Sequence, residues 1–254
     1  MRILVTNDDG VHAAGLRALC DRLRQVADVT AIAPERPRSA CGHAITLHKP
    51  LRLRRVEIPG VEAAYASNGT PADCVALGVS NHVGGGPDLV VSGINLGPNL
   101  GVDMTYSGTV AAAMEAAICG LPSFAISVAS YERAEFDAAS DFAAYLAVTI
   151  GRHGFGGQGF LNVNVPAVPR DEIAGVRVTR QGRVRYSNRI EKRTDPRGGV
   201  YYWLTGERVD TSEEAGGDAD AIAHNFISVT PVRLDLTDET LLEVVSDWQL
   251  SWPG

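Results

Sequence analysis

Two adjacent carboxylates, Asp8 and Asp9, follow the apolar run Ile3-Leu4-Val5, with Asn7 before them and Gly10 after. Two other polar stretches accompany them. "ERPRSACGHA" carries Ser39 and His43, and "SGINLGPNLGVDMTYSG" carries Asn95, Asn99 and Ser107. Pooled, the three offer two carboxylates, an amide carbonyl and a hydroxyl, with no chelating cysteine pair. Such an all-oxygen set suits a hard divalent ion, Mg²⁺, Mn²⁺ or Ca²⁺, better than a structural zinc. The carboxylates neutralise the ion, neutral oxygens fill further positions, and others stay open to water and substrate. Taken alone, "NDDG" is equally an ordinary turn, since Asn, Asp and Gly are turn residues.

"YSGTVAAAME" adds a second signal. Ser107, Gly108 and Thr109 would place unpaired N–H groups and two hydroxyls at a helix N-terminus, which favours an anion such as phosphate. A plain N-cap at Ser107 or Thr109 is the alternative. His43 is a candidate general acid for a leaving alkoxide, or else fastens its loop. His12 reads as a surface residue and His224 as structural. Tyr106 and Met104 suit a base pocket or core packing equally.

Strands and helices must bring these loops together. Residues 2–6 read as a strand and 13–26 as a helix with Leu16, Leu19, Leu23 and Val26 on one face. Residues 29–33 form a second strand ended by Pro34, and "ITLHKPLRLRRVEI" alternates as an extended segment. "TPADCVALGVS" starts a helix with Thr70 as N-cap and Pro71 at the first position. "DLVVS" and "SFAIS" are buried strands around the helix "TVAAAMEAAICG", which Gly120 ends. Residues 135–151 form another helix, and "FLNVNVP" is the last core strand. This alternation predicts an α/β fold: a Rossmann-like, doubly wound, mostly parallel sheet over residues 1–165. Its three polar loops fall at the carboxyl ends of strands, where open sheets bind ligands.

After Pro166 the texture changes. Arg- and Tyr-rich hairpins follow, whose Arg run over 177–197 is a solvated arm or a phosphate-attracting surface. "EEAGGDADA" reads as an acidic flexible loop, "FISVTPVRLDL" as extended, and "ETLLEVVSDW" as a short helix. Residues 166–254 are expected to be a C-terminal hairpin and helix arm of a single domain, packing on another subunit.

The bulk numbers fit that picture. A chain of 254 residues, 45% hydrophobic, supports one large core. A net charge of −7 argues against binding a nucleic-acid polymer. Four scattered cysteines without CxxC spacing point to a reduced, cytoplasmic setting. No signal peptide is expected, since the first strand begins at Arg2, and no apolar run approaches a membrane span.

"TNDDG", "APERPRSACGHAIT", "GTPADCV", "PDLVVSGINLGPNLGVDMTYSGTVAAAMEA" and "FISVTP" together resemble the SurE family, in that family's order and through most of the chain. The resemblance implies a cytosolic, metal-dependent 5′/3′-nucleotidase with a swapped C-terminal arm, assembling as dimers or tetramers. It implies one divalent ion per subunit held by Asp8, Asp9, Ser39 and Asn95. It implies substrate contacts from Asn99 and from Ser107, Gly108 and Thr109. The chemistry expected is hydrolysis of a nucleoside monophosphate by metal-activated water, with Asp8 or Asp9 taking the proton, and short polyphosphate as a side substrate. Departures from the family pattern occur at Glu35, Pro37 and Gly217-Asp218, none of them at those ligands.

Two rivals compete. An aspartyl-phosphate phosphatase would use Asp8 as nucleophile, but such enzymes typically need a second aspartate two residues on. A non-hydrolytic dinucleotide-binding module would need a GxGxxG loop after the first strand, and it is missing.

Overall fold

The computed structural model describes residues 1–80, 85–132, 135–154, 159–183, 185–187, 189–206, 208–209 and 215–252. In chain order the elements are β1 (Arg2–Thr6), α1 (Ala14–Leu23), β2 (Asp28–Pro34), β3 (Leu53–Arg55), β4 (Ala63–Ser67), α2 (Pro71–Val79), β5 (Leu89–Leu96), α3 (Gly108–Ile118), β6 (Ser123–Ala129), α4 (Asp137–His153) and β7 (Gly159–Pro166). Then come β8 (Gly175–Val178), β9 (Arg185–Tyr186), β10 (Arg189–Thr194), β11 (Val200–Thr205), β12 (Arg208–Val209), α5 (Asp218–Ala223), β13 (Phe226–Arg233) and α6 (Glu239–Ser246).

Nine strands form one sheet in the order β3-β4-β2-β1-β5-β6-β7-β13-β8. From β4 to β7 the pairing is parallel, as the strand–helix alternation predicts. The central strands are mostly apolar because both faces are covered. Ile3 and Val5 point to one face, where Leu16, Leu19 and Leu23 of α1 and Phe142, Leu146 and Ile150 of α4 meet them. Leu4 points to the other, with Ile32, Val90, Val75 of α2 and Ala112 and Ala116 of α3. Single-residue alternation along β1 thus assigns each helix its side.

The helix signals act as expected. Asp73 N–H donates to Thr70 Oγ1 (3.1 Å) and Thr70 N–H to Asp73 Oδ2 (2.8 Å), a capping box with Pro71 at the first position. Asp73 Oδ1 also accepts from Thr46 N–H (2.9 Å), so the cap holds the preceding loop as well. At the end of α3, Gly120 N–H donates to Ala117 O and Leu121 N–H to Ala116 O.

Other expectations are corrected. Val26 lies beyond α1 and is 43% exposed, since the helix stops at Leu23. Only residues 53–55 of "ITLHKPLRLRRVEI" form a strand, pairing antiparallel with β4 at the edge. β4 itself, Ala-Ala-Tyr-Ala-Ser, pairs parallel with β2 inside the sheet; its small residues gave no strong strand signal. "FLNVNVP" does not end the sheet, because β13 pairs antiparallel with β7 and β8 with β13. The acidic stretch is not all loop: Asp218–Ala223 is helical and Asp218 is fully buried, while Glu213 and Glu214 lie outside the described residues. The Arg-rich segment does form an extended hairpin as expected, the β10–β11 ladder, and Val184 and Asn188 within it lie outside the described residues. Among the described residues no helix is long and apolar enough to cross a membrane.

β1 sits between β2 and β5, the strands that follow it through opposite windings. The crevice at the carboxyl ends of β1 and β5 is therefore the switch point of the sheet. α1 approaches this point closely: a Cβ on Gly15 would lie 2.0 Å from the carbonyl oxygen of Ile94 in β5.

Two outcomes are expected. Gly15→Ala should cost about 3 kcal/mol or prevent folding, read as a lower urea midpoint; a wild-type midpoint would contradict this packing. Asp73→Ala should cost about 1–2 kcal/mol at pH 7. Burial would raise the Asp73 carboxyl, but hydrogen bonds from Thr46 and Thr70 outweigh it and hold it below its ordinary value. Its stabilisation is full above the unfolded value near 4 and fades as pH falls through the lowered folded value. The Asp73→Ala penalty should therefore shrink between pH 7 and pH 3 in denaturant titrations.

Candidate functional site

The loop after β1 is shaped before it carries chemistry. Gly10 N–H donates to Asn7 Oδ1 (3.1 Å) and Asn7 Nδ2 donates to Gly10 O (3.0 Å), closing a turn around Asp8 and Asp9. Asn7 is fully buried and has this holding role. Backbone bonds then fasten the neighbouring loops to it. Arg38 N–H donates to Asp8 O (2.7 Å), Val11 N–H to Pro34 O (2.8 Å), and Gly42 N–H to Tyr106 O (2.9 Å). Between Ser92 and Asn95, β5 slips register against β6, a bulge of the kind that re-aims a side chain.

The result is one cavity of about 270 Å³ at the switch point. Asp8, Asp9, Ser39 and Asn95 all line it, with Asn99, Ser107, Asp103, Tyr106 and Tyr131. Three loops separated in sequence therefore meet at one place. Asn95 Nδ2 donates to Gly97 O (2.7 Å), which leaves its Oδ1 to act as a ligand. Among the described residues no group of three or more His, Cys, Asp or Glu could hold a metal. The set here has only two carboxylates, completed by a hydroxyl and an amide oxygen.

Electrostatics fit a cation in this place. Burial raises the Asp8 carboxyl; the Thr109 hydroxyl and the nearby backbone N–H groups of Thr109 and Gly108 oppose it without cancelling it. Asp9 is pushed up to about 6, first by burial and then by the Asp8 charge. Two neighbouring carboxylates so destabilised are short of positive charge, which a divalent ion supplies. Cys41 stands near Asp8 and Gly108, and burial and then the Asp8 charge push its thiol up.

The start of α3 serves Asp8. Thr109, fully buried, donates its hydroxyl to Asp8 Oδ1 (2.5 Å). Gly108 lies so close that a Cβ there would sit 2.8 Å from Asp8 Cβ and 3.0 Å from Cys41 Sγ. Neither Gly108 nor Thr109 lines the cavity; the helix N-terminus faces the Asp8 carboxylate. Ser107 lines the cavity and also caps α3, its Oγ accepting from Val110 N–H (3.1 Å).

Of the two readings of His43, its contacts support the loop-fastening one. Its Nε2 meets Glu115 Oε2 of α3 at 2.8 Å, and it does not line the cavity. It fastens its loop. Met104 is buried with Val110, Ala113 and Phe160, in the core rather than in a base pocket. His12 borders a separate small cavity with Arg17 and Glu57, and His224 Nδ1 contacts Asp220.

Asn99 is braced by residues that no motif announces. Its N–H donates to Asn164 Oδ1 (2.8 Å), its carbonyl accepts from Asn162 and Asn164, and its Nδ2 donates to Ser127 Oγ (2.8 Å). The signal was present in "FLNVNVP", where two asparagines at period two sit in an otherwise buried strand. Gly101 is held in turn by Asp218, whose Oδ2 accepts its N–H (2.8 Å), and by Gln181, whose Nε2 donates to its carbonyl (2.9 Å). Tyr131 and Asp103 are cavity residues that the sequence did not single out.

The family described as "Survival protein SurE" matches residues 3–188. The chain is 47% identical over 249 residues to a protein named 5′-nucleotidase SurE from Heliobacterium modesticaldum, covering 98% of this chain and 92% of that one. It is 48% identical over 256 residues to the protein of the same name from Moorella thermoacetica, covering 100% and 98%. Its structure is similar to that of the SurE protein from Aquifex aeolicus, with a TM-score of 0.85, 37% identity, and coverage of 98% and 100%.

If α3 positions Asp8 for a cation, Thr109→Val should weaken Mn²⁺ binding about ten- to hundredfold in isothermal calorimetry. Gly108→Ala, which must displace Asp8, should weaken it at least as much. Wild-type affinity in both variants would show that Asp8 is no ligand.

Proposed function

The chain belongs to the SurE family, and from that membership and the cavity we propose that it is a 5′-nucleotidase, hydrolysing nucleoside 5′- and 3′-monophosphates with the help of one divalent metal ion per subunit. The observation that carries this is the meeting of Asp8, Asp9, Ser39 and Asn95 in one cavity. These four would hold the ion, Mg²⁺, Mn²⁺ or similar, which when bound supplies Lewis acidity to a phosphoryl oxygen and to water.

The remaining work falls to the chain. Asp8 and Asp9 hold negative charge where a cation is needed, and one of their oxygens accepts the proton of the attacking water. Thr109 and the α3 N-terminus orient Asp8 and offset part of the burial that disfavours its charge. Asn99, braced by Asn162, Asn164 and Ser127, and Ser107 at the head of α3 offer donors to the phosphate oxygens, where charge spreads in the transition state. Short polyphosphates present the same terminal oxygens and are a second substrate class.

The rivals fit less well. An aspartyl-phosphate enzyme typically needs a second aspartate two residues on, and here the pair Asp8-Asp9 is adjacent. A binding module without hydrolysis would not need a pair of charge-starved carboxylates facing its ligand.

Residues 166–254 are assigned to subunit contacts in a homodimer or homotetramer. Tyr202, Trp203 and Leu204 of the β10–β11 hairpin, and Trp248 and Trp252 at the C-terminal end, are exposed in the single chain. All four cysteines are free, which suits the cytoplasm.

Asp8→Asn and Asp9→Asn are each expected to lower kcat/KM for 5′-AMP by more than about a hundredfold while leaving the circular dichroism spectrum unchanged. Chelation should abolish wild-type turnover, and Mn²⁺ or Mg²⁺ should restore it. Turnover indifferent to chelator, or near-normal in either variant, would refute a metal-dependent mechanism at these carboxylates.

A further inference from the structure

Both ends of the segment that carries β9 to β12 meet at one buried carboxylate. The chain leaves the core through residues 180–182 and returns through 216–218. Arg180 N–H donates to Gly216 O (3.0 Å), and Asp218 N–H donates to Arg180 O (2.9 Å). Asp218 is fully buried at the start of α5. Its Oδ1 accepts from Gly182 N–H (3.0 Å) on the outgoing strand and from Ala219 N–H (2.8 Å). Its Oδ2 accepts from Gly101 N–H (2.8 Å).

Gly101 belongs to the loop that runs from Asn99 to Ser107, both of which line the cavity. Its carbonyl accepts from Gln181 Nε2 (2.9 Å), so the C-terminal segment grips both of its backbone groups. Leu100, just before it, is buried against Ala219 and Ile222 of α5. The loop turns at Gly101, where φ is +53°. A loop fixed at its turn takes its aim from whatever fixes it. Asp218 and Gln181 do so from outside the cavity lining.

We propose that Asp218 and Gln181 are positioning residues for phosphomonoester hydrolysis: they aim the Asn99–Ser107 loop, and they make that aim depend on how the root of the hairpin segment is seated. The inference rests on the phosphatase reading above and deepens it by naming how the site is regulated. The residues assigned to the cation are placed by other elements. Asp8 and Asp9 follow β1, Ser39 follows β2, and Asn95 lies at the end of β5, where Gly97 N–H donates to Val128 O (3.1 Å). Releasing Gly101 therefore disturbs the phosphate donors and leaves cation affinity as it is.

Three variants test this with 5′-AMP as substrate and Mn²⁺ as the calorimetric probe. Asp218→Asn keeps the shape of the side chain. Its one carbonyl oxygen can serve Gly182 and Ala219, which sets an amide N–H against that of Gly101. It should lower kcat about tenfold with Mn²⁺ affinity at the wild-type value. Gly182→Ala acts from the other end: its Cβ would lie 2.5 Å from Asp218 Oδ1, and its nearest neighbours are atoms of Asp218 and Ala219. It should lower kcat by a similar factor. In the double variant the two losses should not multiply, because both pass through one carboxylate. Gln181→Leu changes an exposed side chain, should lower kcat in the same way, and with Gly182→Ala carries the test should Asp218→Asn not fold. Wild-type kcat in both Gly182→Ala and Gln181→Leu would overturn the proposal. So would Mn²⁺ affinity that falls in step with kcat, or losses that multiply in the double variant; each of these leaves the phosphatase reading standing. A wild type that hydrolyses no phosphomonoester would remove that reading and this inference with it.

Discussion

The cost of placing two neighbouring carboxylates out of water governs the organisation of this molecule. Asp8 is almost wholly buried and Asp9 stands beside it; burial makes each harder to ionise, and at Asp9 the Asp8 charge adds to it. Left without help, such a pair would take up protons or drive the loop open. Every element around it acts against that outcome. Asn7 closes the turn from within, Arg38 and Val11 fasten the flanking backbone, and α3 points its first turn at Asp8. What local hydrogen bonds leave uncompensated is an electrostatic demand that a small, doubly charged ion meets. The same demand explains why the helix N-terminus is turned inward on a protein carboxylate when a phosphate would be its usual occupant.

Much of the fold was legible because its signals are local. Buried parallel strands read as unbroken apolar runs, and the Thr70-Pro71-Asp73 start and Gly120 stop are chemistry confined to one turn. The failures have the opposite character. β4 is built from Ala and Ser, and owes its place to parallel pairing with β2 that no short window reveals. β13 is more than fifty residues from β7 in sequence and nothing in "FISVTP" states its partner. Asp218 sits in a stretch whose composition suggests solvent, yet its two oxygens accept three backbone N–H groups in the interior.

The site divides along the same line. Its ligand types were readable because hard-ion chemistry restricts them to oxygen, and strand ends restrict where they fall. The division of labour inside the site was not readable. Whether Thr109 meets substrate or Asp8, and whether His43 faces the cavity or Glu115, depends on side-chain direction at a helix end, and spacing does not encode that. Asn162 and Asn164 show that a polar residue in a buried strand is itself a signal, since it must answer a partner elsewhere.

The insertion of β13 next to β7 has a temporal meaning. β7 presents the asparagines that brace Asn99, and its outer edge is covered only when Ser228 and Thr230 come to lie opposite Asn164 and Asn162. A chain leaving the ribosome therefore displays its acidic loop well before the strand that covers this edge. A polypeptide cut ahead of β13 would carry the ligands while leaving the strand behind Asn99 unpaired on that side.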